Sequence, residues 1–240
     1  MELVRDGIVL LILFGANLLQ AITGFAGTLI SMPPVMKLIG VDEAKALLNA
    51  IAQISSLMIV WTGRKFINWK EFGKMFAGMV IGMAVGIRIF ERFPLNILLI
   101  LYGIMIIAIA LKKLLLPAKE DRMLPQWLLV PVLLGAGVIH GMFVSGGALL
   151  VVYASAVLKE KEEFRATVAM IWVTCGCYMT GTQILAGHFN RHVLILLAVG
   201  VIPVFIGTWI GTKLVHRISQ EIFMKITYVL LLLSGVMAVV

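Results

Sequence analysis

An apolar run that would otherwise read as one continuous membrane helix is broken at QAITGFAGTLISMPPV, residues 20–35. A glutamine, threonines, small residues and a Pro-Pro pair stand where lipid-facing side chains belong. A second break, HGMFVSGGALLVVYA at residues 140–154, follows 120 residues later in the same register. A helix interrupted in hydrocarbon frees backbone N–H and C=O groups, which survive only when buried in protein or lining a wet cavity. Any fold for this chain must bring both breaks into its interior.

Lipid as the solvent follows from composition. The 240 residues are 61% apolar and 13% charged, with a mean hydropathy of +1.06. Soluble domains run at about 45–50% apolar and about 25% charged. The net charge of +8 therefore points to membrane topology, since basic residues in short loops orient the spans. It does not point to nucleic acid. MELVRDGIVLLILFGANLL at the N-terminus has no small-residue cleavage site and reads as the first membrane helix. Cys175 and Cys177 form a C-G-C within a helical stretch, which is neither a redox C-x-x-C nor a metal pair.

Helical segments are expected at about 3–23, 26–39, 44–62, 70–91, 95–115, 127–141, 146–158, 165–186, 191–213 and 220–240. The third to fifth and eighth to tenth are long enough to cross about 30 Å of hydrocarbon. Those at 26–39, 127–141 and 146–158 are too short to cross comfortably. Short, Gly/Pro-interrupted segments in corresponding places of two halves point to a transporter binding site.

The halves do correspond. At an offset of 120, Gly15-Ala16 matches Gly135-Ala136, Gln20 matches His140, Gly27 matches Gly147, and DEAKA (42–46) matches EEFRA (162–166). At an offset of 125, Gly82 and Gly86 match Gly207 and Gly211. The glycine ladder Gly78, Gly82, Gly86 and its partner read as close helix packing. The expected fold is an all-α polytopic membrane protein of two inverted repeats, each a broken helical hairpin plus three transmembrane helices. Residues 1–116 form the first repeat, 117–126 a cytoplasmic linker and 127–240 the second repeat.

Charge counting sets the topology. If each hairpin enters and leaves on one side, the loops at 64–74, 112–126, 159–165 and 213–225 share a face carrying fourteen Lys and Arg, against six on the other. If each hairpin is a single broken crossing, the count is ten against ten. The positive-inside rule favours the first arrangement, with both termini outside.

Thr23-Gly24-Phe25-Ala26-Gly27 and Val144-Ser145-Gly146-Gly147 are the expected hairpin tips. Each following helix would present its N-terminal N–H groups and positive dipole end to the membrane centre. Two such ends meeting there make an anion site, and backbone donors would do the work, because no Lys or Arg lies in the middle of an expected span. His140 lies deep in its segment, where an ionisable group is functional by default. It could donate to an anion or carry a proton. Its repeat partner Gln20 can donate but cannot titrate. Asn49, Gln53 and Ser56 share one helix face, as do Thr167, Thr174 and Gly181. The candidate substrate-binding set is Gln20, Thr23, Gly24, Phe25, Gly27, Thr28, Asn49, Gln53, His140, Ser145, Gly146, Gly147 and Thr174, with Pro33 and Pro34 bending the first hairpin. The alternative for the breaks is that they only allow tight packing. His188, His192 and His216 are scattered near loop ends and do not make a metal site. No cofactor is expected.

With GFAGTLISMPP (24–34), the connector DEAKALLN, the turn FINW before a Gly-rich span and the second copy GMFVSGGALL, the chain resembles the sulfite exporter family of the TauE/SafE type. The resemblance covers nearly the whole chain. It implies a secondary permease in the cell membrane for small sulfur-containing anions such as sulfite or organosulfonates. Proton or sodium coupling and self-association are left open. By position Gly24, Gly27 and Pro33 match the first family motif, and Gly141, Gly146 and Gly147 the second. Ala26 and Thr28 replace usual glycines, and Tyr153 stands where a second Pro is expected.

Two other classes compete with transport. A thiol-relay electron carrier would need a Cys at each break, whereas both lie in one segment. A non-transporting membrane assembly protein is the other. No P-loop pattern is present, so an ATP-driven pump would need a partner.

Overall fold

In a computed structural model, residues 2–115, 126–158 and 160–214 are described, with isolated positions between 229 and 239. Residues 117–125 of the expected linker 117–126 and most of the expected segment at 220–240 lie outside the described residues. So do Lys119, Arg122, Lys159, Arg217 and Lys225, which entered the charge count.

The described chain is nearly all helix: α1 (Glu2–Thr23), α2 (Ala26–Ile39), α3 (Val41–Gly63), α4 (Trp69–Arg92), α5 (Leu95–Leu115), α6 (Gln126–Phe143), α7 (Gly147–Val157), α8 (Lys161–Leu185) and α9 (Arg191–Leu214). Six of these helices are long and apolar enough to cross a membrane: α1, α3, α4, α5, α8 and α9. The sequence expectation also had six crossings but treated α1 as a hairpin arm. At 22 residues α1 has the length of a crossing, about 33 Å at 1.5 Å per residue. Large apolar side chains such as Leu11, Trp61, Ile104, Ile202 and Phe205 are exposed along the outside, where lipid replaces water.

The two breaks are short, sharp turns between helices. At Gly24 the backbone takes φ +83°, and Val144, its partner 120 residues on, takes φ +56°. Pro33 and Pro34 lie inside α2, which continues through them to Ile39. They remove two helix N–H donors without breaking the helix.

Helices pack crosswise between the halves. α4 lies against α6, and α9 against α1; α3 lies against α8; α3 also touches α9, as α8 touches α4. Glycines make the close approaches. A Cβ at Gly82 or Gly86 would overlap the Leu134 or Val138 carbonyl of α6. A Cβ at Gly207 or Gly211 would overlap the Phe14 or Leu18 carbonyl of α1.

Polar contacts mark the two ends of the bundle. His192 Nδ1 is 2.7 Å from Glu43 Oε2, and its Nε2 is 3.2 Å from Asp6 Oδ1. The start of α1, the start of α3 just beyond α2, and the start of α9 therefore lie together. At the other end Asn68 Nδ2 donates to Glu163 Oε1 at 2.7 Å and Thr167 Oγ1 accepts from Asn68 N. Tyr153 Oη donates to Glu71 Oε2 at 3.3 Å, so the end of α7 lies at the start of α4.

Candidate functional site

Gln20 of α1, Phe25 and Val144 at the two breaks, Thr28 of α2, Asn49 and Ala52 of α3, His140 of α6 and Trp172 of α8 enclose one internal cavity. Gln20, Thr28, Asn49 and His140 give its wall polar side chains within an otherwise apolar bundle. Space for the centre of a water-sized sphere amounts to about 10 Å³, room for roughly one water.

The two breaks meet beside it. Ser145 Oγ lies 3.4 Å from the Thr28 carbonyl oxygen, and also donates to Phe143 O at 2.9 Å. A Cβ at Gly147 would come within 2.9 Å of the Phe25 carbonyl oxygen. Gly27 lies so close to Gln20 that a Cβ there would overlap the Gln20 side-chain oxygen. Gly146 packs with no room for a Cβ between the Ala136 carbonyl and His140. The small residues let each tip close over the polar side chain of its own hairpin.

Thr23 caps the first tip. Its hydroxyl donates to Leu19 O at 2.8 Å and accepts from Phe25 N at 3.3 Å and Ala26 N at 3.1 Å. The N-terminal donors of α2 were expected to be free for a solute; two of the N–H groups at its entry are taken by this hydroxyl. Gly146 opens α7 with no side-chain cap.

His140 is 4% exposed, and neither ring nitrogen has a hydrogen-bond partner among the described residues. Its ring lies 5.3 Å from that of Trp172. Leaving a buried polar group unpaired costs about 1–3 kcal/mol, and this unpaired imidazole lines the cavity. Gln20 is 3% exposed. The cavity wall contains no Lys, Arg, Asp or Glu.

Asn49 is held from the side. Its amide donates to Gly176 O, Thr180 Oγ1 and Gln183 Oε1 at 3.2, 2.9 and 3.2 Å. Gln53, one turn on, donates to Thr180 Oγ1 at 2.6 Å and accepts from Cys177 Sγ at 3.5 Å. It bonds α3 to α8 and does not line the cavity. Thr174 does not join the site either: its hydroxyl bonds back to Met170 O and Ile171 O of its own helix.

Three wall residues were outside the candidate binding set, although Val144 belonged to the expected second tip. Val144 holds the left-handed turn. Trp172 donates its indole N–H to Gly24 O at 2.9 Å, tying α8 to the first tip. Ala52 is the position 120 residues before Trp172, so extending the repeat offset along α3 and α8 pairs the two. Lys45 is a different surprise. Counted from sequence with the loop cations, it lies in the first turns of α3 and is only 6% exposed.

The profile of the sulfite exporter TauE/SafE family matches residues 9–238. The chain belongs to that family. It is also 25% identical over 170 residues, covering 70% of this chain and 71% of the relative, to the "Probable inner membrane transporter protein TsaS" of Comamonas testosteroni. No solved structure matches the chain significantly. With its apolar helices, the family assigns a multi-pass cell-membrane protein of a transporter class.

Proposed function

We propose that the chain is a secondary permease that carries a small oxyanion, sulfite or an organosulfonate, through the cavity between the two hairpin tips. The unpaired, buried imidazole of His140 carries this reading. It can donate one N–H to an anionic oxygen, and the Gln20 amide on the facing hairpin supplies further donors. Neutral donors in a dry site hold an anion strongly because no water competes.

Two repeats of opposite orientation, 1–116 and 127–240 joined by the linker 117–126, explain how the cavity can face either side. The crosswise pairing of α1 with α9 and α4 with α6 supports this, as does the meeting of the start of α1 with the start of α3, just beyond α2, at one end of the bundle. A cavity with room for about one water is an occluded state, and an oxyanion requires the tips to part. Separation of one hairpin from the other on alternate sides is the form of movement the packing allows, since the tips touch through only a few atoms.

The test is sulfite flux by the full chain in proteoliposomes. His140→Leu is expected to lower flux at least tenfold while its thermal stability stays level, because an unpaired buried polar group is replaced by an apolar one. Undiminished flux would remove His140 from the path. If the imidazole also carries a proton, His140→Gln retains flux but loses its pH dependence; an identical pH profile in both proteins rejects the coupling role.

A further inference from the structure

Lys45 is buried, yet no carboxylate forms an ion pair with it among the described residues. Its ammonium lies 3.7 Å from the centroid of the Phe90 ring, near the end of α4. Asp42 and Glu91 act on it only at longer range. Cation–π contact and these two carboxylates offset part of the cost of burying an ammonium, but a buried cation with no carboxylate in contact remains costly, and ionisable groups buried among membrane helices mark solute paths.

The surroundings connect this charge to the cavity. Phe90 packs edge-on against Phe143 with ring centroids 5.8 Å apart, and Phe143 stacks on Tyr102 at 4.5 Å. Phe143 immediately precedes the second tip. Along α3, Asn49 follows Lys45 by four residues on the same face and lines the cavity. That is one helical turn, about 5.4 Å. The cavity wall has no formal positive charge of its own, so Lys45 is a cation set one turn outside it. It stands at the end of the bundle where Glu43 meets His192.

The second half repeats the arrangement at the opposite end. Arg165 lies 120 residues after Lys45, in the first turns of α8. Among the described residues its Nε is buried without a partner, and its Nη2 makes a long contact, 3.5 Å to Thr212 Oγ1. Each of the paired helices α3 and α8 thus opens on an under-compensated cation.

We propose that Lys45 is the counter-charge of the solute path, drawing a small oxyanion in at the α1–α3–α9 end and handing it to the donors of the cavity, with Arg165 serving the other mouth. This rests on the permease reading above and adds to it the residue that selects for negative charge. An anion beside Lys45 replaces the missing carboxylate, so binding is strongest when the mouth is occupied and weakens as salt screens the ammonium.

The variants are Lys45→Met, which keeps the stem and removes the charge, and Lys45→Arg, which keeps the charge. In sulfite flux by oriented proteoliposomes, Lys45→Met is expected to raise KM for sulfite at least tenfold and to lose most of its salt dependence. Vmax should stay within about twofold, and Lys45→Arg within about threefold of wild type in KM. A Lys45→Met protein with the wild-type KM overturns the proposal. So does a Lys45→Arg protein as impaired as Lys45→Met, which would make the site a packing site. A second measurement stands apart from any substrate: thermal unfolding in detergent without oxyanion. Removing an uncompensated buried charge should leave Tm level or raise it; a fall of several degrees means that Lys45 is structural and overturns the proposal whatever the flux. Wild type without sulfite flux would instead sink the permease reading, and the unfolding measurement would still decide Lys45.

Discussion

Gly24 and Val144 occupy the same place in the two breaks, with φ of +83° and +56°. A β-branched residue in that region is strained, and such strain persists only where surrounding contacts hold it. Val144 is buried against the cavity, so the second tip is sprung where the first is relaxed. Open space surrounds a Cβ added at Gly24, so conformation alone is at stake there. Gly24→Ala should cost about 1 kcal/mol of stability, read as a lower midpoint in thermal or denaturant unfolding. An unchanged midpoint would mean that the turn relaxes. At this scale the sequence announced Gln20 and His140, because polar groups inside apolar segments stand out. Trp172 was silent, since an indole in a membrane helix is ordinary until its N–H is seen bonded to Gly24 O. Thr174 misled for the opposite reason: a hydroxyl in a helix can satisfy itself on the preceding turn, and helical spacing cannot tell whether it does.

Pairs of elements repeat their contacts. Asn190 caps α9 through Val193 N and donates to Glu43 Oε1 at 2.7 Å. Asn68 caps α4 through Glu71 N and donates to Glu163 Oε1, also at 2.7 Å. Glu43 and Glu163 are 120 residues apart, so each half holds the other by the same latch. The latches differ in what surrounds them: His192, Asp6 and Arg5 gather at the first. The glycine ladders obey the same crosswise rule, and there the sequence was half legible. Gly-x-x-x-Gly spacing announced close packing, but a small residue does not name its neighbour, and α4 meets α6 rather than a helix of its own half. Gly86→Ala and Gly211→Ala, each facing a carbonyl with no room to yield, should each cost about 1–3 kcal/mol. Gly73→Ala, on the same α4 with nothing within 4 Å, should be neutral or stabilising by up to about 1 kcal/mol. Equal effects at all three positions in thermal unfolding would show that packing is not what these glycines serve.

For the whole molecule, composition dictated the solvent and the segment lengths dictated the helices. Orientation rested on counting charges, several of which lie beyond the described residues. Side-chain contacts supply a second argument. Glu43 and His192 meet at one end, and Asn68 and Glu163 at the other, so α3 runs from the first end to the second. Exposed Trp61, Trp69, Trp127 and Trp209 all fall near helix ends at 63, 69, 126 and 214, which suits indoles at a membrane interface. The arrangement predicts which exposed residues share a side. With Cys175 and Cys177 replaced by serine, single cysteines at Lys65 and Glu160 should react with a membrane-impermeant maleimide from the cytoplasmic side. Cysteines at Asp42 and Ala186 should react only from the other. Were each hairpin instead one broken crossing, Asp42 would share a side with Glu160 and Lys65 with Ala186. Labelling in intact cells and in inverted vesicles therefore separates the two topologies by which pairs travel together. The same experiment decides whether the mouths proposed at Lys45 and Arg165 open on opposite sides of the membrane, as alternating access demands.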